Sequence, residues 1–513
     1  MRKLRTTGLV AVLLASGTAL AWANGIGTFV NGVAAANPAT GSPANVYSTD
    51  FHAVAVVTGT DPLENPSGAI VQFGHLSSGA NTEPDENTYL TMPGLLGPAS
   101  ATGFDYGSHF LFQGHENAGN LAYVTRINLD VTDPLHRITL LTPVGADGLT
   151  HFSRIDGSTF NPNTNSLFVT QEGGGADGGV VEVSLGYPAT ITTHYGRIGR
   201  CGLEGIHVDN KGRIYLVEDS GGTSVSVDPN DINGATKRAR QPNSYIFRFV
   251  PEDRNNISAG GLLQALQVSV NGDALTFGGT SAQNAFDDVW SQDQLDLHSG
   301  MSFPTRWVKV HSTEEDGTAD FDCNLAARAA GATPFKRPEN GVFKPDGLFQ
   351  TFFFTITGDT DKRSGDVAGL QSRGAYGGIF ELDLDNSQNK GSIHLFALGD
   401  ADHNSFDNIT FGDSQTLLVA EDRGDTLHDQ LNKLDSLWAY PLNGNAPLRV
   451  VAQGRDVSAT PPASEDNEVT GIHVSNGTPT ISSQFGTPNN LTNARGFFTQ
   501  QHGDNTIYEL IHN

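Results

Sequence analysis

A hairpin phrase recurs six times along the chain and puts acidic or metal-competent residues at the same end of each copy. The clearest copy reads Gly202-Leu203-Glu204-Gly205, then Ile206-His207-Val208, a turn at Asp209-Asn210-Lys211-Gly212, Arg213 to Val217, and the pair Glu218-Asp219. The turn reverses the chain, so Glu204 ahead of the first strand and Glu218-Asp219 after the second lie side by side. Repetition of such a phrase gathers carboxylates that are distant in sequence into one cluster.

The other copies keep the grammar and change the words. Asp407-Asn408 leads through Ile409 to Phe411, a turn at Gly412 to Gln415, and Thr416 to Ala420 into Glu421-Asp422, with the same acid-to-acid spacing. Asp156-Gly157 leads over Asn161-Pro162-Asn163 and Ser166 to Thr170 into Gln171-Glu172. Glu339-Asn340-Gly341 leads over Lys344 to Gly347 into Phe352-Phe353-Phe354 and Asp359. Glu468-Val469-Thr470-Gly471 reaches Phe497 to His502 after a longer excursion, and a first copy keeps only its second half, Phe110 to Phe112 followed by His115-Glu116-Asn117.

A third strand follows each hairpin: Leu121 to Asp130, Gly179 to Gly186, Ser244 to Asp253, Gly377 to Asp385, Ser436 to Asn443 and Thr506 to Asn513. A period of roughly 45 to 80 residues built from three or four short strands marks a propeller blade. The expected fold is therefore all-β, a six-bladed β-propeller over residues 46–513, with the strand Val54 to Thr58 pairing with the last blade to close the ring. Residues 254–333 do not fit the repeat and are expected to be an irregular insertion capping one face. Sixty glycines and 24 prolines agree with short strands and tight turns.

Arg2, Lys3 and Arg5 precede an apolar run from Gly8 to Leu20 and the small-residue site Ala21-Trp22-Ala23, so residues 1–23 are expected to be a secretory signal peptide. The run is too short to remain in a membrane. Residues 24–45, rich in Gly, Asn, Ala and Pro, read as a linker or N-terminal arm. These features place the protein in the periplasm or outside the cell. The net charge of −26 excludes nucleic acid and anionic lipid as partners, since phosphate partners need basic footprints.

Carboxylates held within a few Å of one another stay ionised only if cations lie between them; otherwise some take up protons. Metal is the economical answer. Cys201 and Cys323 are the only cysteines. An oxidising compartment allows them a disulfide, and spacing leaves open whether they pair or whether Cys201, three residues before Glu204, offers a thiolate to a transition metal.

Taken in order, Gly114-His115-Glu116-Asn117, Gln171-Glu172, Leu203-Glu204-Gly205 with Glu218-Asp219, Arg337-Pro338-Glu339, Asp407-Asn408 with Glu421-Asp422, and Glu468 to Gly471 with Gln501-His502 resemble the PhoX-type alkaline phosphatases over roughly Val54 to Asn513. The resemblance implies a six-bladed propeller whose channel holds a mixed iron and calcium cluster that polarises the phosphoryl group, activates an oxo or hydroxo nucleophile and hydrolyses phosphomonoesters. Carried over residue by residue, it implies Glu204, Glu339 and Asp407 as inner metal ligands, Glu116, Glu172, Glu218, Glu421 and Glu468 as further candidates for calcium, and Arg337 facing the substrate phosphate. Calcium takes six to eight oxygen ligands, and a guanidinium offers two parallel donors to phosphate. The family's iron-ligating cysteine is not matched: that stretch reads Ser153-Arg154-Ile155-Asp156-Gly157-Ser158, with Asp156 or the displaced Cys201 as substitutes.

No Gly-x-Ser-x-Gly elbow, His-Glu-x-x-His or phosphate-cradling Gly-x-x-x-x-Gly-Lys-Ser/Thr loop occurs. The expectation is an exported, monomeric, metal-dependent phosphomonoesterase acting on a small phosphate ester. The alternatives are a calcium-dependent esterase or lactonase, and a catalytically silent calcium-braced propeller that binds a partner.

Overall fold

A computed structural model describes residues 25–33, 45–117, 119–422, 427–431, 433, 435–453, 468–502 and 504–513. The expected signal peptide and residues 24 and 34–44 of the expected linker lie outside the described residues. Residues 25–33 run across the sheet that contains Phe406–Asp413 and Leu448–Gln453: Ile26 N–H donates to the Gly412 carbonyl at 3.0 Å and Val33 N–H to that of Arg449 at 2.8 Å.

The fold is sheet-dominated and propeller-like. Each principal sheet is an antiparallel meander whose first strand is innermost: Glu83–Thr91, Ile155–Asn161, Leu203–Val208, Pro338–Phe343, Phe406–Asp413 and Glu468–Ser475. Each of these inner strands lies against the inner strand of the next meander, and the last lies against the first. All six expected third strands are present, beginning with Tyr123–Asn128 and ending with Thr506–His512. The strand Phe51–Val57 pairs antiparallel with Thr506–His512, so an N-terminal strand completes the last meander.

Strand alternation builds the core between neighbouring meanders, because successive side chains face opposite sides of a sheet. Phe352 and Phe354 pack with Tyr215 and Ile246 on one side, while Phe353 between them packs with Ile409 and Val419 on the other. Leu417 and Leu418 divide in the same way between their two neighbours. Every such residue is almost wholly buried.

Part of the stretch 254–333, expected to be an irregular cap, instead belongs to the sheets. Gly261–Val270 is the fourth strand of one meander, and Phe303–Ser312 pairs with both that strand and Lys390–Leu398. This extra strand merges two meanders into a ten-stranded sheet. Alternating apolar residues in Leu262 to Val270 carry the signal, which the helices Ala282–Trp290 and Cys323–Ala329 on the same stretch obscure. The second helix is tied down by a disulfide between Cys323 and Cys201, with Cα atoms 5.6 Å apart. That bond settles the cysteine question and removes Cys201 as a thiolate ligand. Among the described residues no helix is long and apolar enough to cross a membrane.

Candidate metal centre

All six inner strands carry a register shift at their pit-facing end. The shifts fall between Pro84 and Asn87, Ile155 and Ser158, Leu203 and Ile206, Pro338 and Gly341, Phe406 and Ile409, and Thr470 and His473. A bulge bends its strand and re-aims the extra side chain. Here five of the six bulges carry an acid, namely Asp85, Asp156, Glu204, Glu339 and Asp407, while Glu468 opens the sixth strand. The bulges are pinned from the neighbouring meander. Thr170 Oγ1 donates to the Glu204 carbonyl and Thr355 Oγ1 to that of Asp407, both at 2.5 Å. Gly157 makes the first approach possible, since a Cβ there would lie 2.0 Å from the Glu204 carbonyl oxygen.

The second strand of five of the six hairpins ends beside the bulge and adds a further residue, namely Glu116, Glu172, Asp219, Asp422 and Gln501. Eleven carboxylates and two arginines thereby line an open cavity of about 720 Å³, its mouth included. Four groups have ligand oxygens within 4.8 Å of one another: Glu204, Glu339 and Asp407; Glu172, Glu204 and Asp219; Asp85, Glu116 and Asp156; and Asp85, Asp407 and Glu468. Six of the eight residues expected as metal ligands, Glu204, Glu339, Asp407, Glu116, Glu172 and Glu468, stand in this pit.

The other two do not. Glu218 pairs with Leu203 and Glu421 with Phe406, ahead of each bulge, so both side chains fall on the far face of the strand. Glu218 accepts from Tyr245 N–H at 3.0 Å and from Asn324 Nδ2 at 2.9 Å, and Glu421 from Asn404 N–H at 3.1 Å. Their chain neighbours Asp219 and Asp422 line the pit instead. A one-residue slip exchanges the faces of a strand, so hairpin spacing alone does not separate Glu218 from Asp219 or Glu421 from Asp422. Asp85 and Glu83 went unread because Pro84 disguises their strand as a turn. Asp156, named as a substitute for the missing cysteine, lies with Asp85 and Glu116.

The acids are held by hydrogen bonds. Thr470 Oγ1 donates to Asp85 Oδ1 at 2.6 Å and Thr357 Oγ1 to Glu339, while the Gln501 amide nitrogen donates to both Glu468 oxygens at 3.3 Å and His502 Nε2 lies 3.2 Å from Glu468 Oε2. Burial, reinforced by neighbouring carboxylates, pushes Glu204, Asp156, Glu116, Asp407 and Glu468 well above the ordinary carboxylate range. Glu339 is raised by burial and by Asp219, against the opposing pull of Arg337. Asp85 is pushed up to about 7, chiefly by burial. Such a pit binds protons or cations, and its all-oxygen donor set fits hard ions such as calcium.

Two arginines share one structural address, two residues before the bulge acid. Arg337 precedes Glu339 and Arg154 precedes Asp156, with left-handed backbone at φ 49° and 46°. Their carbonyls accept from the N–H of Thr357, just past the strand Thr351–Ile356, and of Glu172, at 2.8 and 3.0 Å. Arg337 grips Asp219 through Nε and Nη2, each 3.1 Å from Oδ2, and lies 3.7 Å from Glu339 and 3.9 Å from Asp422.

A family model for the alkaline phosphatase PhoX matches residues 174–485. The chain belongs to the PhoX family of alkaline phosphatases. Its reaction class is accordingly hydrolysis of phosphoric monoesters, in a family that depends on metal and is typically exported. The structure is similar to that of Pseudomonas fluorescens PhoX in complex with vanadate, a transition state analogue, at 12% identity and a TM-score of 0.56, over 94% of this chain and 97% of that one. A slighter likeness, to the tricorn protease, has 9% identity and a TM-score of 0.27 over 73% of this chain and 36% of the other, too little to bear on the fold. No curated protein matches the chain.

Proposed function

We propose that this PhoX-family phosphatase works from the carboxylate pit, with Glu204, Glu339 and Asp407 as the inner metal ligands and Asp85, Asp156, Glu116, Glu172, Asp219 and Glu468 completing the set. The observation that carries the reading is the four groups of carboxylate oxygens within 4.8 Å, gathered from meanders far apart in sequence. We count each half of the ten-stranded sheet as a blade, which makes a ring of six. Calcium is the ion the donor chemistry favours. Ferric iron would have only carboxylates here, because Cys201 is in a disulfide and Asp156 stands in the stretch where the family has cysteine.

Cations held there would offset the charge of a phosphate ester and polarise its phosphoryl group. The chain's own residues do the rest. The bulges and the Thr170 and Thr355 hydroxyls fix where the carboxylates stand, so ions are held in a preformed geometry. Thr357 orients Glu339 and Thr470 orients Asp85. Arg337 sets Asp219 with two of its nitrogens and adds positive charge at the pit wall, where the resemblance places a phosphate contact. Among the described residues the pit lining contains no serine, threonine, cysteine or lysine, which favours attack by water over a covalent intermediate on those side chains. A small ester enters through the open mouth. Export by the leader at residues 1–23 would deliver the chain to a compartment that supplies calcium and permits the disulfide.

The reading is tested by assaying purified protein on p-nitrophenyl phosphate and p-nitrophenyl acetate in the presence of calcium. Phosphate release without comparable acetate release is expected. Acetate hydrolysis alone would favour the esterase alternative, and inertness on both would favour a binding module.

A further inference from the structure

We infer that a basic pocket beside the pit binds a second anionic group on the substrate, so that the enzyme favours phosphomonoesters whose leaving group itself carries a phosphate. This rests on the reading of the pit as a phosphatase site. The pocket encloses about 260 Å³, its opening included, with Arg238 and Arg240 on one side and Asp359 to Asp361 on the other. Its walls continue from the pit. The hairpin of Ser224–Ser226 and Lys237–Arg240 begins shortly after Asp219, and Asp359 stands just beyond Thr357, the donor to Glu339. Lys336, whose Nζ lies 3.0 Å from Asp359 Oδ1, immediately precedes Arg337.

The chain carries 56 acids against 30 lysines and arginines, yet four of its cations, Arg238, Arg240, Lys336 and Arg363, meet here. Local structure holds the two pocket arginines in place. Ala239 between them packs with Val225, Phe286 and Leu370, which anchors the hairpin. The register shifts at Arg238, and this bulge brings its side chain to the same pocket as that of Arg240. Arg240 N–H donates to Asp359 Oδ1 at 2.8 Å and so ties the strand to the opposite wall.

Both acids of the pocket have cations of their own. Lys336 and Asp359 form a wholly buried pair, and Arg363 grips Asp361 through Nε at 2.8 Å and Nη2 at 2.5 Å. Arg238 and Arg240 are therefore surplus to neutralisation. Arg238 lies 3.4 Å from Asp361 with 49% of its side chain exposed, an ion pair that solvent weakens. Among the described residues the Arg240 guanidinium makes one hydrogen bond, from Nη1 to the Gly222 carbonyl at 3.5 Å. Two planar forks of donors left over in one concavity match the oxygens of a phosphate group. A leaving group extending along the pit wall past Arg337 carries its own phosphate to them, and the binding energy gained there is available to the reaction in the pit.

The test compares alkanediol bisphosphates of increasing chain length with the corresponding alkyl phosphates in metal-replete protein, reading the ratio of their kcat/KM values. Wild type should prefer the bisphosphate about tenfold or more at the chain lengths that span pit and pocket, as expected for charge-assisted pairs gained outside the pit. Arg238→Gln and Arg240→Gln should each lower that preference about threefold or more, and the double variant should abolish it. Arg240→Lys, which keeps the charge and loses the fork, should fall between wild type and Arg240→Gln. Lys237→Gln removes the same charge from the same strand outside the pocket lining and should leave the ratio where it was. No preference in wild type at any length, a preference that survives the double variant, or an equal loss in Lys237→Gln overturns the assignment. If wild-type protein hydrolyses no ester, the phosphatase reading fails separately. Calorimetric titration with alkane bisphosphonates and alkylphosphonates then decides the pocket: tighter binding of the bisphosphonate that is lost in the double variant supports it, and equal or absent binding overturns it.

Discussion

At one end of the inner strands, Glu204, Glu339 and Asp407 face one another; at the other, His207 and His473 flank Phe485, with ring centroids 5.7 and 4.8 Å away. Both ends are buried, and burial disfavours charge at both. The histidines answer by losing a proton. Burial lowers His207 to about 4 and, with the help of His207, His473 to about 3, so both are neutral at physiological pH. His473 Nε2 then accepts from Tyr89 N–H at 3.1 Å, and Gln484 Nε2, beside Phe485 in the chain, donates to the Val208 carbonyl at 2.9 Å. The carboxylates can only take up protons or bind cations. One end of the channel is thus stable as it stands, while the other is completed from outside, which is what a metal-dependent site requires.

Substitutions separate the two ends. Glu204→Gln and Glu339→Gln should each reduce bound metal and lower kcat/KM for p-nitrophenyl phosphate by about a hundredfold or more. The metal-free proteins should melt no lower than wild type, because a like-charge contact is relieved. Asp219→Asn should reduce metal content where Glu218→Gln does not, since only the former faces the pit. A metal loss confined to Glu218→Gln would reverse that assignment. Phe485→Ala, at the other end, should cost about 2 kcal/mol of stability with KM unchanged. Replacing Cys201 and Cys323 by serine should cost about 2–4 kcal/mol in thermal or denaturant unfolding and leave metal content intact. A parallel loss of metal would show that the helix Cys323–Ala329 supports the pit.

The smallest expected effect is one of sign. Asp85 titrates at about 7 in the folded metal-free protein against an ordinary value of 3.8, with burial the main cause. Its folded form binds the proton more tightly, so its contribution to stability is complete below about pH 4 and is lost as pH rises to about 7. Chelated protein should therefore melt progressively lower across that window. Calcium-loaded protein should show the opposite slope, because protons compete with the ion. Melting curves with and without calcium at several pH values read this directly.

Much of this was legible in the residues. Acids at a repeated hairpin address foretold Glu204, Glu339 and Asp407 in one pit, and repetition of the hairpin foretold all six third strands and the closing strand near Val54. What escaped was local. Proline hides the strand bearing Asp85, and a bulge shifts register by an amount no spacing reveals, so the sequence does not separate Glu218 from Asp219 or Glu421 from Asp422. Arg154 shows the same two-residue offset to its acid as Arg337, a signal present in the sequence. The disulfide and the strand bridging two meanders depend on contacts between segments far apart in the chain, which local pattern does not encode.

The central claim is that cations bound among these carboxylates make the pit both tolerable and active. Measuring bound metal and p-nitrophenyl phosphate hydrolysis on one preparation, before chelation, after complete chelation and after calcium is returned, tests it most directly. The account predicts that activity disappears with the metal and returns with it. Undiminished hydrolysis by protein shown to be free of metal would contradict it.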